Sequence, residues 1–443
     1  MSPRIKFYIK QIPKYQIDTI SENKDIEWAL CELLQISSRI LTGHAAINHL
    51  QWILGSVSLD DAAVIKKVLS KDMKIGMGTT QVSKIWKGLI EKTPYQGAKS
   101  FSVKLVNKIL KGKAVSQQKL DGRYCNSILD NGLELVSRTG EPTVLTGAKF
   151  LDELTTLGDQ IVFNGELTIL GMNSKYDGTT ARSRANGIVA SLIDISAKRE
   201  KRGEVETAKK ILKFESKHAI DYELGAVTFQ EALDSIVFTV WDVLTVDEYY
   251  DNKSTVPYED RFEKLKNILL EHHPNNVQLV ESRVVKTFEE VMNHFKEMMD
   301  RGLEGTILKS LEAGWKNTKP SYQCKIKIEL DVDLVVTGFN YGTVGTKNEN
   351  VISSFIAESS CGGLITRPQG LDEDTMQYIT DNQEDILGSI IKVKCNGVTK
   401  ARDGKNYALM YPTFLFIRDD KKEADSLDEI LDIERAAIEV GSR

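Results

Sequence analysis

Cysteine is scarce and scattered in this chain of 443 residues. The cysteines are Cys31, Cys125, Cys324, Cys361 and Cys395, and no two of them form a CxxC pair. Structural zinc sites usually draw their thiolates from such closely spaced pairs. The absence argues against a structural zinc site and fits a reducing cytosol, where disulfides are rare.

Long apolar runs are missing as well. No segment approaches the roughly 20 consecutive apolar residues that span a bilayer. The basic N-terminal stretch MSPRIKFYIKQIPKYQ lacks the apolar core and cleavage site of a secretion signal. A hydrophobic fraction of 41% with 27% charged residues is typical of a globular protein. We therefore expect a cytoplasmic protein with no membrane partner.

Common motifs of phosphate binding and hydrolysis are also absent. The chain has no GxxxxGK[ST] loop, no GxGxxG after a strand, no HExxH and no GxSxG. Its six histidines show no metal-ligand spacing. Hydrolysis based on serine or zinc therefore has no support in the sequence.

Charge is unevenly distributed along the chain. Residues 1–115 carry 18 Lys and Arg against 9 Asp and Glu, a net charge of +9, which leaves −14 for the remainder of a chain whose total is −5. A basic region beside an acidic body predicts contact with a polyanion such as DNA. The turn KDMKIGMGTT in this region could hold a DNA phosphate through backbone N–H groups. A solvated helical surface and an ordinary helix C-cap explain these two features equally well.

Hydrophobic periodicity divides the chain into three regions. Residues 1–115 space their apolar positions at three and four, which predicts helices. Residues 116–330 combine short β-branched and aromatic runs with helices, and residues 331–443 combine short strands with turns. We predict a multidomain α+β protein with a helical N-terminal domain, an α+β core with antiparallel sheets, and a C-terminal barrel such as an oligonucleotide-binding (OB) fold.

The candidate site consists of charged and aromatic residues on or beside predicted strands. Any single one is weak evidence, because KxDG occurs often in loops and two lysines at i and i+2 also suit a solvated edge strand. Their order and spacing together are more informative. The set is Lys119 and Asp121 in KLDG, Arg138 in VSRTG, Glu166 in FNGELTI, Trp241 and Asp242 in FTVWDVL, Glu304 and Lys309 in EGTILK, Lys325 and Lys327 in CKIKIE, and Arg418, Asp420 and Lys421 in IRDDKK.

This set resembles, motif by motif, the covalent nucleotidyltransferases, and most closely the ATP-dependent DNA ligases. Their KxDGxR nucleophile motif precedes an SRxG-type arginine, a strand ending in GE, an aromatic–Asp pair, EGxxxK, KxK and RxDK. The chain has counterparts in that order from residue 119 to residue 421. RILTGHAAINHL, KVLSKDMKIGMGTTQVSKIWKGLI and ELDVDLVVTG are similar to the T-even bacteriophage type of these ligases. The resemblance covers nearly the whole chain.

The resemblance implies a domain organisation and an activity. Residues 1–115 would be a helical DNA-binding domain, 116–330 the nucleotidyltransferase (adenylation) domain and 331–443 the OB-fold domain. Together they would encircle nicked double-stranded DNA and seal 5′-phosphate/3′-hydroxyl nicks with ATP and Mg²⁺, in replication, repair and recombination. We expect a monomer that acts in the cytoplasm of a phage-infected host cell.

The resemblance also implies individual roles. Lys119 would be linked to AMP through a phosphoramidate bond, and Gln117 would read the adenine amino group. Arg138 would contact the nucleotide or the incoming 5′-phosphate, and Glu166 would hold the ribose, the metal or both. Lys319 stands where relatives often carry arginine, so it keeps the charge but lacks the bidentate fork. The residues that would orient the departing pyrophosphate, when the third domain closes over ATP, are Arg418, Asp420 and Lys421.

Elementary chemistry is consistent with these roles. A lysine attacks only when it is neutral, so its pKa must fall, and the nearby cations Lys325 and Lys327 would lower it. The same cations would neutralise the α-phosphate as its charge builds. Glu166 and Glu304 offer hard oxygen ligands for Mg²⁺. Trp241 offers a flat face for adenine, although an ordinary core aromatic is equally compatible with the pattern.

One position departs from the family pattern. An arginine is expected five residues after the nucleophile, where this chain has Tyr124, and an arginine stands one residue earlier as Arg123. In a regular strand these two side chains point to opposite faces, so Arg123 cannot simply replace the missing group. A bulge could restore the arginine, or the Tyr124 hydroxyl could bond the ribose instead.

Other functions remain open from sequence. An RNA ligase or mRNA capping enzyme is the nearest rival, and the basic helical N-terminal region argues against it. An NAD-dependent ligase lacks support because its four-cysteine zinc site is missing. A non-catalytic DNA-binding or clamp-like protein with a decayed nucleotide site is favoured by Tyr124 alone.

Overall fold

The computed structural model describes residues 7, 9, 12–17, 24–70, 78–86, 89, 93–169, 178–218, 228–345, 348–401 and 406–440. The chain divides into two compact units, Met1–Thr93 and Pro94–Arg443. Residues 94–115 thus belong to the second unit. None of the described helices has the length and apolarity needed to cross a membrane.

Helices make up most of the described part of the first unit. Its helices are α1 (Ile26–Ser37), α2 (Gly43–Gly55), α3 (Leu59–Leu69) and α4 (Thr79–Ile85). Asp25 caps α1 by accepting a hydrogen bond from the Trp28 N–H, and Ser58 caps α3 through the Asp61 N–H. The buried core includes Leu33, Leu50, Ile53 and Ile65. Helices predicted from the apolar spacing form over these four segments, but Lys99–Ser100, inside the region predicted to be helical, is a strand. Residues 71–77 of the predicted turn lie outside the described residues.

The second unit alternates helices and short strands. Its helices are α5 (Val103–Ile109), α6 (Lys149–Thr156), α7 (Gly178–Arg202), α8 (Glu204–His218), α9 (Phe229–Asp234), α10 (Val246–Tyr250), α11 (Tyr258–His272), α12 (Phe288–Asp300), α13 (Glu373–Asp381), α14 (Gln383–Ile386) and α15 (Leu427–Val440). Its strands are β1 (Lys99–Ser100), β2 (Ala114–Gln118), β3 (Arg123–Leu129), β4 (Leu133–Ser137), β5 (Ile161–Ile169), β6 (Ile236–Thr245), β7 (Lys253–Ser254), β8 (Val277–Leu279), β9 (Ser282–Val285), β10 (Gly305–Ser310), β11 (Trp315–Lys316), β12 (Gln323–Lys327), β13 (Leu330–Tyr341), β14 (Ile352–Glu358), β15 (Ile365–Thr366), β16 (Ile390–Cys395), β17 (Val398–Lys400), β18 (Tyr407–Leu409) and β19 (Thr413–Ile417).

The first sheet of this unit has the order β1-β12-β10-β2-β9. Direct pairing places Gln117, Ile307 and Lys325 side by side, so their side chains share one face. Helix α12 lies against the opposite face, where a ring nitrogen of His294 bonds the Ser116 hydroxyl at 2.8 Å. One face of this sheet is therefore packed, and the other carries the charged motif residues.

A second sheet has the order β4-β3-β5-β6-β8. Its core includes Phe163, Leu167, Phe238 and Val240, packed with residues of α7 and α11. The predicted antiparallel pairing is right for most neighbours in these two sheets. It is wrong for β1–β12 and for β6–β8, which are parallel. The β6–β8 pair is joined through α11, the kind of crossover that parallel neighbours require.

The third sheet, from the last part of the chain, has the order β15-β14-β13-β16-β19. Its long strand β13 pairs with both β14 and β16, and the β13–β14 register shifts between Val336 and Gly338 and between Asn340 and Tyr341. Such shifts bend and twist a strand. Helix α15 buries Ile430 in the same core as Val332 and Phe355.

Candidate active site

Lys119 is held by the start of β10. Its backbone N–H donates to the Gly305 carbonyl at 2.8 Å, and its ammonium forms an ion pair with Glu304. Gly305 has φ of 133°, and a Cβ there would lie 2.2 Å from the Ile326 carbonyl oxygen. The EG dipeptide thus combines a partner for Lys119 with a glycine that the close approach of β12 requires.

Glu166 lies under the KLDG turn. The Gly122 N–H donates to Glu166 Oε2 at 2.8 Å. A Cβ on Gly122 would lie 2.6 Å from the Leu167 carbonyl oxygen, so this close contact with β5 needs glycine. Burial raises the pKa of Glu166 to about 8, and the positive charge of Lys119 opposes this rise. The structure therefore brings Lys119, Glu166 and Glu304 together, as the motifs predict.

Lys325 and Lys327 share a sheet face with the start of β10, since Lys325 pairs with Ile307 and Lys327 with Gly305. Burial lowers the pKa of Lys325, and repulsion from Lys327 and Lys119 lowers it further. The charge of Lys319 acts in the same direction. The predicted cation cluster is present, and repulsion between its members helps to lower the pKa of Lys325.

Gln117 is buried, and both ends of its amide have partners. Its Nε2 donates to the Ser282 hydroxyl at 3.0 Å, and its Oε1 accepts from the Tyr258 hydroxyl at 3.0 Å. Because an amide oxygen has two lone pairs, Oε1 can accept from an adenine amino group while it keeps the bond from Tyr258. The role of Gln117 as an adenine reader stays a prediction. Tyr258, which the sequence motifs do not mark, forms one wall of the candidate nucleotide pocket together with Gln117, Lys309 and Trp241.

Trp241 is the extra residue of a β-bulge. Asn164 pairs with Asp242 and Gly165 with Val240, which leaves Trp241 without a partner on β5. Its ring centroid lies 6.0 Å from that of Tyr124. Asp242, by contrast, is buried and bonds Arg261 through both carboxylate oxygens, at 2.8 and 2.9 Å. The aromatic–Asp motif therefore contributes one pocket residue and one buried ion pair.

Lys309 is an almost fully buried amine, with 6% of its surface exposed. Its Nζ lies 4.6 Å from the centroid of the Tyr258 ring and 5.8 Å from that of Trp241. Burial lowers the pKa of Lys309 to about 7, and Asp242 opposes the shift. At neutral pH this wall of the pocket therefore contains a lysine that is partly uncharged.

Tyr124 turns its hydroxyl inward. The hydroxyl donates to Asn126 Oδ1 at 2.8 Å, while Arg123 is exposed. Strand β3 pairs with β5 without a register shift, so the bulge that could have restored the arginine does not form. The Tyr124 ring packs edge-on against Tyr95 at 5.1 Å, and the Arg138 guanidinium lies over Tyr95 at 4.2 Å. Tyr95, missed by motif reasoning, links these two predicted nucleotide ligands.

The two cations of the RxDK motif bond Asp333 of β13 and not the acids beside Lys119. Arg418 donates to Asp333 at 3.0 and 3.2 Å and to Asp420 at 2.7 Å, and Lys421 donates to Asp333 at 2.8 Å. Lys392 also pairs with Asp333 at 2.8 Å. These hydrogen bonds and ion pairs of Arg418 and Lys421 therefore stabilise the region of the third sheet.

Known proteins resemble this chain along most of its length. The family model for the ATP dependent DNA ligase domain matches residues 96–327, more than half of the chain. The DNA ligases of Enterobacteria phages T4 and T6 are each 27% identical over 461 aligned residues, covering 96% of this chain and 89% of theirs. The solved structure Pmar-Lig_PreS3 shares the fold, with a TM-score of 0.53 at 17% identity, covering 94% of this chain and 90% of its own.

The matched domain defines a ligase with the nucleotidyltransferase fold. The chain belongs to the ATP-dependent DNA ligase family. The family and enzyme class predicted from the motifs are thereby confirmed.

Proposed function

We propose that this protein seals 5′-phosphate/3′-hydroxyl nicks in duplex DNA at the expense of ATP, in replication, repair and recombination. The observation that carries this proposal is the convergence of Lys119, Glu304 and Glu166, with Lys325 close enough for its pKa to respond to Lys119. A nucleophile, two carboxylates and a cation pair are the groups that phosphoryl transfer needs.

In the first step the neutral Lys119 amine attacks the α-phosphorus of ATP. A nitrogen–phosphorus bond forms, the bond from that phosphorus to the bridging oxygen breaks, and pyrophosphate leaves. Glu304, which already holds the ammonium, takes the proton that Lys119 must lose. Lys325 and Lys327 neutralise the charge that develops on the α-phosphate oxygens.

In the second step an oxygen of the DNA 5′-phosphate attacks the phosphorus of the lysine-bound AMP. The nitrogen–phosphorus bond breaks, and Lys119 recovers a proton as it leaves. In the third step the 3′-hydroxyl attacks the 5′-phosphate, loses its proton and forms the phosphodiester bond, and AMP departs with the bridging oxygen. The overall reaction joins two DNA ends and converts ATP to AMP and pyrophosphate.

Glu166 and Glu304 are the proposed Mg²⁺ ligands. Both carboxylates lie within the electrostatic reach of Lys119. Among the described residues, no group of three or more acids, histidines or cysteines is arranged to hold a metal alone. Mg²⁺ commonly takes one or two protein carboxylates and completes its shell with phosphate oxygens and water, so the pair fits. Bound there, the ion would neutralise phosphate charge and favour the ionised form of Glu166.

The nucleotide would lie between the first two sheets. We assign adenine to Gln117 and the face of Trp241, and the ribose and phosphates to Tyr124, Arg138 and Glu166. Lys319 would add charge beside Lys325. Arg418 and Lys421 would orient the pyrophosphate after leaving Asp333, which requires a movement of the third sheet region.

The DNA-binding organisation is also a proposal. Residues 1–115 would form a helical DNA-binding domain, 116–330 the adenylation domain and 331–443 an OB-fold domain. The basic charge of the first region and the five-stranded third sheet support these assignments. The three domains of a monomer would encircle nicked DNA in the cytoplasm of a phage-infected cell.

Transfer of label from ATP tests the proposal directly. Incubation with α-labelled ATP and Mg²⁺ should leave label on the protein, and a nicked duplex should then be sealed. Lys119→Ala should abolish the label, whereas Lys149→Ala should retain it, because Lys149 pairs with Asp234 on the surface. Label that survives Lys119→Ala would exclude this assignment. Nick binding without any label on the wild-type protein would favour the non-catalytic alternative.

A further inference from the structure

The turn between β16 and β17 reaches the candidate active site. Asn396 occupies this turn, and its side-chain oxygen accepts a hydrogen bond of 2.8 Å from the Lys327 ammonium. Lys327 is one of the two cations proposed to neutralise phosphate. An amide from the third sheet region therefore orients a residue of the first sheet, although no sequence motif marks Asn396.

The backbone around Asn396 is fixed from two sides. The Asn396 N–H donates to the Met410 carbonyl at 2.9 Å, and the Met410 N–H donates to the Gly397 carbonyl at 2.9 Å. The Val398 N–H donates to the Glu434 carboxylate of α15 at 2.8 Å. A side chain on a turn held in this way has a defined direction, as a positioning residue requires.

Tyr411, next to Met410, makes a second contact with the site. Its hydroxyl donates at 3.2 Å to Oδ1 of Asp121, which follows Lys119 by two residues in the KLDG motif. Tyr411 has φ of 51°, a left-handed conformation that is unfavourable for a residue other than glycine. Such conformations persist where the surrounding structure holds them, often at functional sites. Two paired segments of the third region thus contact both the KLDG and the KIK motifs.

The third region presents these residues while its RxDK cations are engaged elsewhere. Arg418 and Lys421 bond Asp333, and Lys421 also donates to Asp425 at 2.6 Å. The third region therefore contacts the site through the neutral side chains of Asn396 and Tyr411, and not through the cations assigned to pyrophosphate. It suits the chemistry that follows after pyrophosphate has left.

We propose that Asn396 is a positioning residue for AMP transfer to DNA and nick closure, with Tyr411 as its companion contact. This inference rests on the proposed ligase function. The amide oxygen accepts from one of the three N–H groups of Lys327, and Glu329 Oε1 lies 3.5 Å from the same ammonium. One N–H group is then left for a phosphate oxygen, and the neutral amide does not offset the positive charge of the ammonium. A carboxylate in its place would cancel that charge.

Two single-turnover assays on the full-length protein separate the steps. One measures label transfer from ATP to the protein, and the other measures nick sealing by protein already loaded with AMP, without free ATP. Asn396→Ala should change the first rate less than about twofold and slow the second about tenfold, the loss that one hydrogen bond to a charged group predicts. Asn396→Asp, which has nearly the same shape, should slow sealing at least as much.

Control variants decide between positioning and general damage. Asn340→Ala removes an amide that donates to Ser354 at 3.2 Å in the same sheet, and should leave both rates unchanged. Arg418→Ala should show the reverse pattern, with slow labelling and normal sealing once loaded. Equal slowing of both steps by Asn396→Ala, or unchanged sealing, would overturn the inference. Wild-type protein that takes no label would overturn the ligase function itself, so the two failures are distinguishable.

Discussion

Tyr124 and Glu166 are direct partners across the β3–β5 ladder, so the residue that replaces the family's arginine faces the proposed metal ligand. The Tyr124 hydroxyl nevertheless donates away from Glu166, to Asn126 Oδ1 at 2.8 Å. The same Asn126 oxygen accepts from Asn164 at 2.7 Å, and the Asn126 amide donates to the Tyr249 hydroxyl at 2.9 Å. Tyr124 is therefore anchored by its hydroxyl and presents its ring to the pocket.

Substitutions of Tyr124 should separate these two functions. Tyr124→Phe should lower the free energy of unfolding by about 1 kcal/mol, because one hydrogen bond to the buried Asn126 is lost. It should change the KM for ATP in self-adenylylation less than about twofold. Tyr124→Ala should raise that KM clearly more, since the ring is removed from beside Trp241. A large KM increase in Tyr124→Phe would show that the hydroxyl contacts the nucleotide after all.

The Lys119–Glu304 ion pair makes Glu304 the most informative acid to change. Glu304→Gln keeps the shape and a hydrogen-bond acceptor, but it removes a proton acceptor and a proposed metal ligand. Self-adenylylation should fall by about 10²–10³-fold, the range for general acid–base and electrostatic groups. Glu312→Gln, the same change at an exposed acid of the same chain segment, is the matched control and should label normally. Normal labelling of Glu304→Gln would remove Glu304 from the reaction.

The sequence predicts this site well where a motif residue acts through its own side chain. Lys119, Glu166, Glu304 and Lys325 converge because each lies on or beside a strand whose alternation fixes its side. The motif glycines Gly122 and Gly305 are also predictable from sequence, because both lie where another strand's backbone comes too close for a side chain.

The remaining parts of the site depend on tertiary contacts that no local pattern encodes. Tyr95 and Tyr258 are ordinary aromatics in sequence and become pocket residues only when distant strands pair. The direction of the Tyr124 hydroxyl depends on Asn126, whose burial the strand pattern does not reveal. The Arg418 and Lys421 pairs with Asp333 depend on the neighbouring position of β13, 85 and 88 residues away along the chain.

The buried Asp242–Arg261 pair should be a stability determinant rather than part of the chemistry. Both side chains are 3% exposed. Asp242→Ala or Arg261→Ala alone should lower the free energy of unfolding by roughly 3–5 kcal/mol, because each leaves an unpaired buried charge. The double variant Asp242→Leu with Arg261→Leu should lose less than the sum of the single changes. Additive losses in chemical denaturation would show that the two groups do not interact.

Lys309 should make the stability of the protein depend on pH. Its pKa is about 7 when folded, against 10.5 for an ordinary lysine, so between these values the unfolded chain binds more protons than the folded chain. Stability should therefore rise with pH through this window, and the burial penalty should be greatest below pH 7. Lys309→Met, which removes the buried charge, should raise the thermal unfolding midpoint at pH 7 and flatten its rise up to pH 9. Lys149→Met at an exposed ion pair should keep the wild-type slope. If the unfolding midpoint of Lys309→Met rose with pH as steeply as that of the wild type, another group would be responsible for the pH dependence.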